Sequence, residues 1–406
     1  MKAAGVVVEY NPFHNGHLYH LEAAREMSGA DIIIAVMSGS FLQRGEPALV
    51  SKWSRAKMAL MNGADLVFEL PYQYSTQKAE VFADGAVKML DAALCSTVCF
   101  GSEAGDAEAF IKTVEYINNE RESYDRLIRQ YMQTGVSYPR AASLAMEELK
   151  APEGVLPLSQ PNNILGYHYV KSILSINSRM MPLTVKRKSA NYHDQDFASS
   201  TIASATSIRK ALFDGSGGLA SIRRYIPKSS AEALEDYLAE FGAFHSWEMF
   251  WPYLKYRLLQ ASPAELNSIY EAEEGLENRL VGAAIKAESF GEFMNTAKTK
   301  RYTWTRIQRL CTHILVNAKK EEMATSEKGP EYLRLLGMTD FGKRYLNMYK
   351  GDFKLPVVSR LSSFSSKGIE LDIKAAYIYS LGVPGPQSQK LLEMEYSQPP
   401  YVIEKR

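Results

Sequence analysis

Residue types that announce a function on their own are scarce in this 406-residue chain. Cysteine occurs three times, at Cys95, Cys99 and Cys311. Three thiols cannot frame a small secreted domain, and Cys95 and Cys99 have no second cysteine pair to complete a zinc site. Buried free thiols in a reducing compartment are the expectation. Long apolar runs are missing too. The longest, Ile32–Met37, falls far short of the roughly 20 residues a membrane helix needs. The start, Met1-Lys2-Ala3-Ala4-Gly5-Val6, leads into Glu9 with no small-residue cleavage site of a secretory signal. The expectation is a cytoplasmic protein with no membrane partner. An excess of charge is the third absence: 47 Lys and Arg face 46 Asp and Glu, a net +1. That excludes a generally basic nucleic-acid coat, and no DNA partner is expected, but a local basic surface remains open. No set of acids stands at metal-ligand spacing, so no metal site of the chain's own is expected.

What is present reads as a globular protein, with 46% hydrophobic and 23% charged residues. Apolar runs at Ala3–Glu9, Asp31–Met37, Leu66–Leu70, Thr97–Phe100 and Leu183–Lys188 predict buried strands. Leu18–Met27, Ser54–Asn62, Ala79–Leu90, Asn162–Ile176 and Ser207–Phe213 have helical spacing. Strands alternating with helices predict an α/β fold with a parallel, Rossmann-like sheet, interrupted by a helical insertion over residues 108–150. Ligands in such sheets bind outside the carboxyl ends of the strands. Asp214–Gly218 reads as a linker, and the pattern beyond it is mainly helical. The expected division is a catalytic domain over residues 1–215 and a helical region over residues 216–406.

The first strand runs into Tyr10-Asn11-Pro12-Phe13-His14-Asn15-Gly16-His17 and then a helix. Helix N-termini attract phosphate. Two imidazoles there can hydrogen-bond phosphate oxygens as charge develops at an attacked phosphorus. Gly16 lets a base or ribose approach the backbone. Downstream, Ser204-Ala205-Thr206-Ser207-Ile208-Arg209 sets hydroxyls before a helix with an arginine in its first turn, which suits a cap and a bidentate phosphate contact. The same residues would serve as a plain capped helix with a surface arginine.

The strand–HxGH–helix unit resembles the HIGH motif of the nucleotidyltransferase and class I aminoacyl-tRNA synthetase superfamily. The stretches GVVVEYNPFHNGH, MSGSFLQRGEPALVSKWSRAKMAL, GADLVFELP and FGSE narrow the resemblance to the bacterial tRNA-Met cytidine acetate ligase family. Ser204–Arg209 resembles the SSTxIR element of adenylyltransferases, whereas the KMSKS loop of the synthetases is missing. The resemblance implies an ATP-dependent ligase with an acetyl-adenylate intermediate, whose partners are acetate and elongator tRNA-Met. Mg2+ would be carried in with ATP. It implies catalytic roles for His14 and His17. It places ATP on Val7, Val8, Glu9, Tyr10, Asn11, Phe13, His14, Gly16, His17 and His20, together with Gly101, Asn162, Arg187, Ser204, Thr206 and Arg209. Two alternatives stay open: a small-molecule adenylyltransferase and a non-catalytic RNA-binding protein.

Candidates for tRNA contact are Lys52 and Arg55, just beyond the loop after the second strand, and the basic run Lys298, Lys300, Arg301, Arg306 and Arg309. Tyr302 and Trp304 interleave with that run. Basic residues neutralise phosphates, and aromatics stack on unpaired bases. Lys343–Lys374 is a second basic stretch. The region from Ala231 onward nonetheless balances 23 basic against 23 acidic residues, so its composition alone does not point to RNA.

Overall fold

The computed structural model describes residues 1–187, 201–214, 217–273, 275–299, 301–324 and 328–404. The chain opens with strand β1 (Ala3–Val8), helix α1 (Asn15–Ser28), β2 (Ile32–Ser38), α2 (Lys52–Met61), β3 (Leu66–Leu70), the short α3 (Tyr72–Ser75), α4 (Ala79–Ala92) and β4 (Thr97–Ser102). Helices α5 (Ala107–Asn119), α6 (Arg121–Gln133) and α7 (Tyr138–Glu148) follow β4. Then come α8 (Pro161–Ser175), β5 (Met181–Lys186) and α9 (Ala205–Asp214). Of the expected linker, residues 215 and 216 lie outside the described residues.

The second half holds α10 (Lys228–Phe241), α11 (Trp247–Gln260), α12 (Pro263–Asn267), α13 (Leu276–Lys286), α14 (Phe290–Ala297), α15 (Trp304–Val316) and α16 (Lys320–Ala324). It ends with β6 (Leu333–Thr339), α17 (Asp340–Tyr349), β7 (Val357–Val358), α18 (Lys367–Ser380), α19 (Pro386–Ser397) and β8 (Tyr401–Ile403).

The strands form one sheet in the order β5-β4-β1-β2-β3-β6-β7, with β8 also paired to β6. The five strands of the first half are mutually parallel, as expected. β6 was not anticipated. It runs antiparallel to β3, with Leu66 opposite Met338, and so draws the second half of the chain into the sheet. Every residue of β2 is buried: Ile33, Ala35 and Met37 face one core, and Ile32, Ile34 and Val36 the other. This two-sided burial is why β2 reads as an unbroken apolar run rather than an alternating one. The first core continues into the helices of the second half. The second is closed by α4 and by α5 to α7.

The sheet order turns at β1, which has β2 on one side and β4 on the other. The connections leaving β1 and β4 therefore diverge and open a crevice at their carboxyl ends. The HxGH turn after β1 enters that crevice.

Candidate active site

Helix α1 begins with a reciprocal cap made from histidines. His14 is the N-cap, and its Nδ1 accepts from Gly16 N at 3.0 Å. The Nδ1 of His17 accepts from His14 N at 3.3 Å. The two rings stack at 3.6 Å. A side chain at position 16 would put its Cβ 2.9 Å from His14 Cε1, so glycine is required there for the cap to close. Because both Nδ1 atoms accept, the proton of each neutral ring sits on Nε2. The motif thus presents two imidazole N–H donors rather than two cations.

Burial, the Arg187 charge and the Arg209 charge push the His14 pKa down to about 3. Burial also holds His17 well below its ordinary value, with His14, His20 and Arg187 adding to the effect. His20, whose Nε2 lies 3.9 Å from Cys99 Sγ, is pushed down to about 4 by burial and Arg187. A test follows. In histidine-labelled protein followed by carbon-13 NMR, these three imidazoles should stay neutral from about pH 8 to about pH 5.5. Adding ATP should raise the pKa values of His14 and His17, because a polyphosphate favours the imidazolium. A normal titration of either ring near 6.5 in the free protein would contradict the neutral-donor arrangement.

The other expected residues gather around the same crevice. Val7 and Val8 end β1, the first partly buried and the second buried. Phe13 is fully buried and packs its ring 4.6 Å from Tyr10 and 5.6 Å from His17. Gly101 lies near the end of β4, where an added Cβ would meet Arg187 Cγ at 3.7 Å, an ordinary van der Waals contact. Arg187 follows β5 and is exposed, with its backbone N–H donating to Ser102 O at 3.0 Å. Lys188 lies outside the described residues.

Asn162 opens α8. Its Nδ2 donates to Glu103 Oε1 at 2.7 Å, while Asn163 N donates to Glu103 Oε2 at 2.8 Å. Glu103, from the FGSE segment, therefore caps α8 with a carboxylate, and this role was not singled out in the sequence. In α9, Ser204 is a cap: its Oγ accepts from Ser207 N at 3.0 Å. Arg209 donates to Asn11 O at 2.9 Å and to Glu46 Oε2 at 2.7 Å. Glu9, Tyr10, Asn11, His17, Leu42, Arg44, Glu46, Ala205, Thr206 and Arg209 together line a pocket of about 110 Å³.

The loop after β2 contributes Leu42, Arg44 and Glu46 to that pocket. These side chains were not among the residues expected from the sequence. The second half of the chain clamps the loop. Gln308 Nε2 donates to Arg44 O at 2.9 Å, Thr312 Oγ1 to Gly45 O at 2.7 Å, and Trp247 Nε1 to Gly45 O at 3.0 Å. Gly45 has φ +79, and a Cβ there would lie 2.6 Å from the Arg309 backbone, so only glycine allows this contact.

Three expected tRNA contacts require correction. Lys52 is 2% exposed and bonds Glu69 at 2.8 Å and Glu395 at 2.9 Å. Arg55 is fully buried and donates to the carbonyls of Val50, Glu9, Ser38 and Gly39, which ties together the carboxyl ends of β1 and β2. Arg309 is buried in a two-pronged pair with Glu271 at 2.9 and 3.1 Å. Burial works against the Glu271 carboxylate, but Arg309 and His313 outweigh it and hold its pKa low. None of these three offers its charge to the surface. Lys298 and Arg301 are exposed, and Arg306 is partly so, pairing with Glu273 at 3.4 Å. Arg301 and Arg306 lie 5.7 and 5.1 Å from the Tyr302 ring. Lys300 lies outside the described residues. Among the described residues no group of three His, Cys, Asp or Glu side chains is placed to hold a metal ion, and no helix is long and apolar enough to cross a membrane.

A crevice at the switch point of a parallel sheet, entered by an HxGH cap and faced by an arginine from a later helix, defines a site of the nucleotidyltransferase class. Comparison with known proteins agrees. The HIGH Nucleotidyl Transferase family matches residues 1–394. The tRNA(Met) cytidine acetate ligase of Geobacillus sp. (strain WCH70) is 48% identical over 401 residues, covering 98% of this chain and 99% of that protein. The protein of the same name from Bacillus subtilis (strain 168) is 48% identical over 405 residues, covering 98% and 97%. A crystal structure of Thermotoga maritima TmcAL bound with alpha-thio ATP superposes with a TM-score of 0.90 at 34% identity, covering all of both chains. The chain belongs to the HIGH nucleotidyltransferase family and, within it, to the tRNA(Met) cytidine acetate ligases.

Proposed function

We infer that this protein is an ATP-dependent ligase that acetylates the N4 amine of the wobble cytidine in elongator tRNA-Met, acting in the cytoplasm. The observation that carries the reading is the intact HxGH cap, with Arg209 facing it, in a chain that matches the tRNA(Met) cytidine acetate ligases end to end. In the first step a carboxylate oxygen of acetate attacks the α-phosphorus of ATP. The bond to the bridging oxygen breaks, and pyrophosphate leaves with the electron pair. His14 and His17 donate Nε2–H to the phosphoryl oxygens as charge builds there. Arg209, released from Glu46, takes the outer phosphates, and Arg187 and Asn162 position the nucleotide over Gly101. Mg2+ would be carried by the phosphates of ATP and would help neutralise their charge. In the second step the cytidine amine attacks the acetyl carbon, the bond to AMP breaks, and the nitrogen loses a proton.

Lys298, Arg301 and Arg306 form the tRNA-facing surface in this reading. They stand at or just before the start of α15, the same helix that sends Gln308 and Thr312 onto the loop over the pocket. Bound RNA at one end of α15 thus reaches the site through a continuous element.

The test is pyrophosphate–ATP exchange by the purified protein with Mg2+ and no RNA. Exchange should require acetate, and adding tRNA-Met should convert it into net AMP release with N4-acetylcytidine in the RNA. Exchange supported equally by a nicotinate or pantetheine phosphate acceptor, or AMP release without acetylated RNA, would overturn the reading.

A further inference from the structure

A second cavity lies apart from the crevice, where α5, α6 and α7 meet α4 and α8. Ile117, Ala142, Leu158 and Ile164 form its apolar walls. Three tyrosine rings, Tyr124, Tyr138 and Tyr167, face the same space. Tyr124 and Tyr167 are each 6% exposed, and Tyr138, at 54%, stands at the opening. A buried tyrosine hydroxyl usually finds a hydrogen-bond partner, because an unpaired polar group away from water is costly. None of these three hydroxyls bonds a described residue. His168 Nδ1 is buried beside them and also lacks a partner among the described residues. The His168 ring meets Tyr167 edge-on at 5.1 Å. These polar groups converge on one space, and the adenylation chemistry uses none of them.

The charges that line the cavity cancel. Lys171 pairs with Glu80 at 2.6 Å, and Arg121 with Asp125 at 3.7 Å. A phosphate inside would meet two carboxylates whose cations are already engaged, and a lone cation would meet Lys171 and Arg121. A flat, neutral ligand with a polar edge meets neither penalty. Burial, helped by Lys171, lowers the His168 pKa to about 4 against the upward pull of Glu80. The ring is therefore neutral at pH 7 and offers one N–H and one lone pair, while each tyrosine hydroxyl can donate and accept. A phenol or an indole carries a single polar atom and would leave most of these groups unmet. A nucleobase carries several along one edge, and aromatic rings are the usual stacking partners of unpaired bases.

We propose that this cavity holds an unstacked nucleobase of the substrate RNA, stacked on the tyrosine rings and read by their hydroxyls and His168. The inference rests on the ligase reading above and deepens it, by giving the RNA a recognition point separate from the basic surface at α15. Helix α8 links the cavity to the crevice. Asn162 stands in its first turn, and Lys171 lies about 13 Å further along the same helix. A short stretch of single strand therefore joins a reacting base at the crevice to a second base in the cavity.

Two variants of the full chain test this. Tyr138→Ala removes an exposed ring, and Tyr124→Phe with Tyr167→Phe removes two hydroxyls from packed rings. Each should raise the KM for tRNA-Met in acetylation at least about fivefold, the low end of the loss for one stacked base. Acetate-dependent pyrophosphate exchange without RNA should stay within about twofold of wild type. A set of tRNA-Met molecules, each lacking one base at an unpaired position, then identifies the occupant. At one position the missing base should raise the wild-type KM by a similar factor and raise that of Tyr138→Ala little further, because ring and base lose the same contact. Circular dichroism checks the fold, and if the double variant fails to fold, Tyr138→Ala and the base scan decide. Wild-type acetylation with an unchanged tRNA KM in Tyr138→Ala, or additive losses at every abasic position, would overturn the base pocket and leave the ligase standing. Free adenosine or cytidine that binds wild type but not Tyr138→Ala, with the tRNA KM unchanged, would assign the cavity to a free nucleoside and overturn the RNA source. Wild-type protein that acetylates no tRNA would overturn both readings.

Discussion

Replacing His17 with alanine should lower acetate-dependent pyrophosphate exchange by roughly a hundred- to a thousandfold, the loss typical of deleting one donor to a developing oxyanion. The fold should survive. His17 Nδ1 gives the α1 cap one long bond, to His14 N at 3.3 Å, and a lost cap bond costs about 1 kcal/mol. The ring also stacks on His14 at 3.6 Å, so His14 gains freedom when it is gone. The two effects separate in the assay. If His17 acts as a donor to the phosphoryl group, kcat falls far more than the KM for ATP rises, and the unfolding midpoint moves little. A kcat within about threefold of wild type would remove His17 from the chemistry and leave it a capping residue. His17→Asn is the informative partner. Its amide can donate but cannot reproduce the stacked cap, so partial recovery of kcat over His17→Ala would assign the role to the donated N–H.

That test concerns the part of the molecule that was most legible in the sequence. β1, β2 and the turn between β1 and α1 were readable because their signals are local: a Val-rich run, a run of apolar residues buried on both faces, and histidines one helical turn apart. Even there the histidines turned out differently in detail. The sequence suggested imidazoles and free helix amides side by side. The structure spends Gly16 N on His14 Nδ1, so the anion-facing donors are ring N–H groups. β6 was not legible for a different reason. Leu333-Arg334-Leu335-Leu336-Gly337-Met338-Thr339 contains neither valine nor isoleucine and has no strict alternation. It is a strand because β3 offers it an edge some 270 residues earlier in the chain. Arg44 and Glu46 were hidden within a loop whose path depends on Gly45 pressing against α15. No local pattern encodes that contact.

Lys52 shows the same limit in its charge pattern, and it yields the second large effect. From sequence, Lys52 and Arg55 at the start of a helix look like a solvated basic face. In the fold, Lys52 sits with Arg334 between Glu69 and Glu395, every side chain no more than 4% exposed. Two cations and two carboxylates balance there, and the network joins α2, β3, β6 and α19. Burial alone would raise the Glu395 pKa, but Arg334 and Lys52 outweigh it and keep the group ionised. Lys52→Met keeps most of the volume and removes one cation. It leaves Arg334 facing two buried carboxylates, and breaking a buried pair from one side costs about 3–5 kcal/mol. The expected result is a large drop in the urea midpoint, with tRNA affinity of the remaining folded protein unchanged. Lys52→Met combined with Glu395→Gln restores the charge balance and should recover a good part of the loss, because the penalty lies in the unpaired charge rather than in the missing lysine. A surface lysine would give the opposite pattern: stability within about 0.5 kcal/mol of wild type and a weaker, less salt-dependent hold on RNA. That outcome would show Lys52 to be on the RNA face after all.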